Sequence, residues 1–198
     1  MINYVVLSLG EMLREGFDTT VIEDAFKRFS CQRETDLENF LVKKAITYEN
    51  TEYGKTYLIV DEDLLKQKVF SIAAYFTIAN TAVDISDLSK KKKRAALGNH
   101  PGRDGLGFVQ AYLIGQLGRN DAYTSDDITG EQILNECYHA ISLAALVIGG
   151  RLLVLECREC MFEKFYEKHG FKKLYDELSS ENLYTLFQKM DFSEYWKR

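Results

Sequence analysis

Proline is nearly missing from this chain, with Pro101 alone among 198 residues. That excludes proline-rich linkers and recognition tails. Cysteine is sparse as well, and four residues in a chain this long do not make a disulfide framework. No apolar run approaches the roughly 18 residues that a membrane-spanning helix needs, so no membrane partner is expected. The opening, MINYVVLSLGEMLREGF, has neither a basic start nor a small-residue cleavage site, and no signal peptide is read there. With so few cysteines and no secretory address, the expected location is the reducing cytoplasm. An excess of positive charge is absent too. The net charge is −5, against the usual balance of a nucleic-acid surface. No internal repeat occurs at any period from about 20 to 50 residues.

What is present is enough apolar material for a real core: 46% of residues are hydrophobic and 28% charged. Length and composition together predict one domain spanning 1–198.

The order of elements can be read from hydrophobic period. Val21 to Phe29 and Asp36 to Tyr48 carry apolar residues at helical spacing. Thr56 to Val60 and Val69 to Ala79 are β-branched and aromatic, as strands are. The stretch 84–107 is rich in charge and glycine and reads as a surface loop, with one helical turn at most. Phe108 to Leu117 is the strongest candidate for a central strand. Thr129 to Ile148 repeats apolar residues at steps of one, three and four, and Gly149-Gly150 ends that helix. Arg151 to Leu155 reads as a buried strand and Met161 to Lys168 as a short helix. Phe171 to Leu174 and Leu183 to Gln188 read as closing strands. The expected fold class is α/β (α+β mixed), with a mixed, mostly antiparallel sheet and helices on both faces.

Several residue types invite a chemical reading and do not sustain it. Cys157-Arg158-Glu159-Cys160 is a C-x-x-C, but zinc wants four ligands and no second pair follows at metal-like spacing. His100, His139 and His169 are scattered, and no metal site is expected. The run Lys90-Lys91-Lys92-Lys93-Arg94 is a compact basic patch. It suits a solvated loop, an RNA-linked substrate or the phosphates of a cofactor. The tail carries Phe192, Tyr195 and Trp196, aromatics that suit docking on the core or on a second copy in a homodimer.

Three segments carry a family resemblance. Phe165-Tyr166-Glu167-Lys168-His169-Gly170-Phe171 resembles the F-Y-x-x-x-G-F segment late in the fold of the GNAT superfamily of acyl-coenzyme A-dependent N-acetyltransferases. Phe29-Ser30-Cys31 followed by Leu37-Glu38-Asn39-Phe40-Leu41 resembles the opening of a bacterial subgroup that includes toxins of toxin–antitoxin pairs. Leu113-Ile114-Gly115-Gln116-Leu117-Gly118 resembles a strand of the same subgroup. The three pieces lie in the family's order over roughly residues 20 to 190.

The resemblance implies a GNAT-like fold and an N-acetyltransferase that uses acetyl-CoA, or another acyl-CoA, as co-substrate. It implies that the strand matching Phe108–Gly118 splays from the one matching Arg151–Cys157. The pantetheine arm would pair with backbone groups of Leu117, Gly118 and Arg119. The diphosphate would lie at the start of the long helix, on the backbone of Ile128, Thr129, Gly130 and Glu131, where free N–H groups and the helix dipole favour an anion. It puts Tyr166 near the thioester sulfur as the general acid. Glu156, after the strand Leu152–Leu155, is the candidate base, with a solvated strand-end carboxylate as its plain alternative. The acceptor would be a small-molecule amine, a protein amine or the aminoacyl group of an aminoacyl-tRNA, the last being the toxin-like activity.

The chain departs from the family's Q/R-x-x-G-x-G/A loop. Aligned on Gly130 it reads Ser125-Asp126-Asp127-Ile128-Thr129-Gly130, with two carboxylates where a diphosphate would approach. Thr129 with Gln132 also fits a plain capping box. A catalytically inactive GNAT-like binding or regulatory module is the alternative those departures support.

Overall fold

The computed structural model describes residues 1–195; Trp196 of the aromatic tail lies outside them. Its chain divides into two compact units, Met1–Ala79 with Gln116–Tyr138, and Asn80–Gly115 with His139–Arg198.

In the first unit, strand β1 (Tyr4–Ser8) pairs antiparallel with β2 (Lys55–Asp61), and β2 pairs antiparallel with β3 (Ile72–Asp84). Helices α1 (Leu9–Arg14), α2 (Thr19–Arg28), α3 (Thr35–Lys43) and α4 (Ala45–Asn50) lie between β1 and β2 in sequence. A short α5 (Glu62–Lys66) separates β2 from β3. Local chemistry sets the helix starts. The carboxylate of Asp18 accepts from Thr20 N at 2.9 Å, and that of Asp61 accepts from Asp63 N and Leu64 N at 3.0 Å each. Phe26, Leu41, Leu58 and Tyr75 are fully buried in one apolar cluster between these helices and strands.

The sequence reading differs here in two respects. Strand β1 was not expected, because YVVLS is short and runs straight into α1 with no turn residue between them. The helix expected over Asp36–Tyr48 is broken at Lys44, whose backbone (φ −123°, ψ −30°) leaves the helical region.

In the second unit, the ladder of β5 (Leu152–Cys157) carries the architecture. It pairs parallel with β4 (Phe108–Arg119) and antiparallel with β7 (Tyr184–Lys189), which in turn pairs with β6 (Lys172–Lys173). Five of the six residues of β5 are buried, as its run of aliphatics predicts. Helix α7 (Gly130–Ile148) ends at Gly149 and Gly150, both with positive φ (72° and 105°), a turn that favours glycine. Phe192 of the tail is buried and meets the ring of Tyr112 edge-on at 5.9 Å.

The segment expected as a loop over 84–107 contains a true helix, α6 (Lys90–Leu97), capped by Ser89. Its basic residues have separate fates, which composition alone hides. Lys92 pairs with Asp176 at 2.8 Å. Lys93 is buried, and its ammonium donates to the carbonyls of Leu106 (2.8 Å) and Asp104 (3.4 Å). Lys90, Lys91 and Arg94 are exposed.

The strand order is β1-β2-β3-β4-β5-β7-β6, a seven-stranded, mostly antiparallel sheet in which β4 and β5 pair parallel. The mixed α/β class with a mostly antiparallel sheet expected from sequence is the one found. No helix among the described residues is long and apolar enough to cross a membrane.

Tyr75 gives the first unit a measurable weak point. Its hydroxyl is buried and donates to Leu37 O at 2.7 Å, with burial pushing the phenol pKa well up. Tyr75→Phe removes that buried hydrogen bond and is expected to cost about 0.5–1.5 kcal/mol. Urea unfolding should show a lower midpoint at an unchanged slope.

Candidate functional site

The site residues expected from sequence fall into two groups. Leu117, Gly118, Arg119, Ile128, Thr129, Gly130 and Glu131 belong to the first unit, and Tyr166 and Glu156 to the second. Each group is described in its own unit.

In the first group the end of β4 is fixed from several sides. Gly118 lies under Leu37: a Cβ there would come within 2.4 Å of that side chain, so the strand approaches α3 as closely as only glycine allows. Asn120, buried, is the hub of the turn that follows. Its N–H donates to Ala73 O and its Nδ2 to Ile72 O, both at 2.9 Å, while its Oδ1 accepts from Ala122 N at 3.0 Å. Asp121 reaches the link between α2 and α3, where its N–H donates to Ser30 O and its carboxylate accepts from Gln32 N, each at 2.7 Å. The Phe29-Ser30-Cys31 segment is thus the seat of the β4 turn. Glu38 accepts from the Cys31 N–H at 2.5 Å, and burial pushes the Cys31 thiol pKa up. Sequence reasoning passed over Asn120 as a turn residue; its only signal was a short side chain directly after Gly118-Arg119.

Arg119 joins the strand end to the helix start, its Nη1 donating to Ile128 O at 2.9 Å. Thr129 and Gln132 form the capping box: Gln132 N donates to Thr129 Oγ1 at 3.1 Å and Thr129 N to Gln132 Oε1 at 2.9 Å. Gly130 and Glu131 open α7, and their N–H groups have no acceptor within the helix. The two carboxylates of the departing loop are not equivalent. Asp127 folds back on its own turn, accepting from Thr124 N (2.8 Å) and Thr124 Oγ1 (2.9 Å), and those hydrogen bonds hold its carboxyl below the usual range. Asp126 is exposed.

In the second unit, the β4–β5 ladder runs through Tyr112↔Leu153, Leu113↔Val154 and Ile114↔Leu155. Within this unit Ile114↔Leu155 is the last pair of that ladder. Glu156 is exposed and paired across β7 with Thr185, whose hydroxyl donates to its Oε1 at 3.4 Å.

Tyr166 ends a π-helical turn, Phe162–Tyr166, that follows α8 (Glu159–Met161). Such wide turns are uncommon and are found often at functional positions. The side chain is 7% exposed, with edge contacts to Phe165 (5.0 Å) and Phe171 (5.4 Å). Gly170, at φ 84°, stops the segment, and the Phe171 N–H donates to Tyr166 O at 3.1 Å. The F-Y-x-x-x-G-F pattern is thus a local motif that packs its own aromatics. Glu159 accepts from Tyr184 Oη at 3.0 Å, and Lys173 lies 3.6 Å from the centroid of the Tyr184 ring. All four cysteines are free thiols. Burial pushes Cys157 up to about 11, which keeps it protonated and unreactive at neutral pH. Among the described residues no group of three or more His, Cys, Asp or Glu is arranged to hold a metal ion.

No family model matches the chain, and no curated protein matches it in sequence. Solved structures do match in fold. One is a Tyr-to-Phe mutant of KacT, 18% identical, with a TM-score of 0.71 over 98% of both chains. Another is AtaT complexed with acetyl-methionyl-tRNAfMet, 17% identical, with a TM-score of 0.67 over 99% of this chain and 100% of that one. A third is AtaTR bound with AcCoA, 16% identical, with a TM-score of 0.63 over 94% and 93%. The chain has the fold of these proteins over essentially its whole length.

Two outcomes test the first group. Asn120→Ala removes an acceptor and a donor from a buried turn and is expected to cost about 2–4 kcal/mol, read as a lower urea midpoint. The Asp127 turn is expected to hold above the usual carboxylate pKa of 3.8 and to loosen as pH falls through the lowered folded value. Asp127→Asn should flatten that acid limb, followed by the Thr124 amide signal between about pH 5 and 2.

Proposed function

We propose that the chain, acting as a single domain over 1–198, is an N-acetyltransferase that transfers the acetyl group of acetyl-CoA to an amine. The observation that carries this reading is that the β4–β5 ladder within the second unit has Ile114↔Leu155 as its last pair. Unpaired strand backbone is what an extended pantetheine amide chain needs. The fold shared with AtaTR bound with AcCoA supports the same cofactor. Leu117, Gly118 and Arg119 would offer the strand groups, and Gly130 and Glu131 the N–H groups of an anion seat at the start of α7, since those of Ile128 and Thr129 already donate to Thr124 O and Gln132 Oε1. The Arg119 guanidinium adds a positive charge beside that seat.

In the proposed chemistry the amine nitrogen attacks the thioester carbonyl within a ternary complex. A C–N bond forms, the C–S bond breaks, and the departing thiolate takes a proton from the Tyr166 hydroxyl. The ammonium formed by the attack loses its proton to Glu156 through water, or to bulk water. A phenol suits the acid role because it stays protonated at neutral pH until a thiolate appears beside it. The acceptor we favour is the aminoacyl group of an aminoacyl-tRNA, on the fold shared with AtaT complexed with acetyl-methionyl-tRNAfMet. A reading as an inactive binding module is weakened by the turning back of Asp127 onto Thr124.

Titration with acetyl-CoA, followed by calorimetry and by melting temperature, tests the cofactor step. Binding is expected, and none at millimolar ligand would leave the binding-module reading in place. Tyr166→Phe is expected to slow acetylation of methionyl-tRNA about 100-fold with acetyl-CoA affinity nearly intact. Unchanged turnover would remove Tyr166 from the acid role.

A further inference from the structure

The second unit carries a groove of about 810 Å³ that the proposed acetyl transfer does not use. It lies where β4 begins, eight or more residues before Gly118 along that strand. Leu97, Leu106, Val109 and Leu152 give it an apolar lining, and Arg151 and Lys189 are its cations. Gly98, at φ 62°, makes room for the second of these, because a Cβ there would meet Lys189 Nζ at 3.3 Å. Lys93 holds the rim in place from inside through the carbonyls of Asp104 and Leu106. Phe108, at the edge of the groove, is largely exposed.

Beside the groove the end of α7 is apolar and uncovered. Leu143, Leu146, Val147 and Ile148 are all exposed, Val147 by 83%. Leu143, Leu146 and Val147 fall at i, i+3 and i+4 and so share one face. Gly149 and Gly150 carry the chain from this face directly to the groove. Tyr112 hydroxyl donates to Gly149 O, and Gly150 itself is part of the lining. Clustered aliphatics of this kind are uncommon on a surface without a partner.

The geometry points to a docking site for an acidic amphipathic segment of a different protein, its aliphatic side chains on the α7 face and in the groove, its carboxylates toward Arg151 and Lys189. Charge decides among the occupants. Lys90, Lys91 and Arg94 are exposed on α6, the helix whose Ala96 and Leu97 line the groove. A second copy docked about a two-fold axis would bring these cations against their own equivalents. A nucleic acid would answer the cations but would leave the aliphatic face without an apolar counterpart. A helix with one aliphatic and one acidic side satisfies both surfaces.

Selection from a displayed library of random 15-residue peptides tests this on the full chain. The expected winners combine aliphatic residues at helical spacing with Asp or Glu. A fluorescein-labelled winner should bind at least 10-fold more weakly to Val147→Asp and to Lys189→Glu, both exposed positions whose melting temperatures should match the parent. Acetyl-CoA binding should be unaltered in both, so failure here is separate from failure of the proposed function. The inference is overturned by no enrichment over bare support, by winners without carboxylates, or by binding indifferent to both substitutions. A single-stranded RNA 15-mer that displaces the winner, or a concentration-dependent dimer abolished by Val147→Asp, would also overturn it.

Discussion

Backbone hydrogen-bonding groups of a strand must be answered by something. Strand β4 pairs with β5 from Tyr112 to Ile114 and neighbours β3 in the sheet. Its end and the turn after it are held by side-chain contacts as well. Gly118 lies against Leu37, Asn120 bonds to the carbonyls of Ile72 and Ala73, and Asp121 bonds to the α2–α3 link. A strand end secured by glycine contact and by the side-chain amide and carboxylate of the turn after it keeps its geometry. The start of α7 inherits its position from the same place, through Arg119 and Ile128.

The second unit solves a different problem. Its π-turn places Tyr166 among Phe165 and Phe171, so the ring is set by packing rather than by the length of a regular helix. Burial of the ring with edge contacts restricts its rotation, an orientation that the proposed proton transfer would need. The cysteines nearby contribute packing instead of redox chemistry, since Cys157 is held protonated by desolvation.

Much of this was legible in the sequence, and the failures are local. The strands at Thr56–Val60, Phe108–Leu117 and Arg151–Leu155 and the helix to Ile148 stood out because long runs of one period leave little choice. Strand β1 was not legible, because five residues fused to a helix carry no period of their own. Helix α6 was hidden by four consecutive lysines. Its support is tertiary, a buried Ala96 and the burial of Lys93 against carbonyls that sequence does not reveal. Of the proposed site, Tyr166, the strand end and the helix start are named from the family resemblance. Asn120 could not be, because its importance lies in partners that are 48 residues away. The aspartates of the loop looked alike in sequence, and only geometry separated Asp127, tied to Thr124, from exposed Asp126.

The capping box at Thr129 has one further implication. Because Thr129 and Gln132 close the first turn with their own side chains, the helix start is finished before any anion arrives. Docking of the proposed diphosphate there would demand no ordering of loose chain, so no entropic toll on the backbone would be subtracted from the affinity. Occupancy would then follow the abundance of the ligand alone, as in a berth already dredged, rather than the folding equilibrium of the loop that receives it.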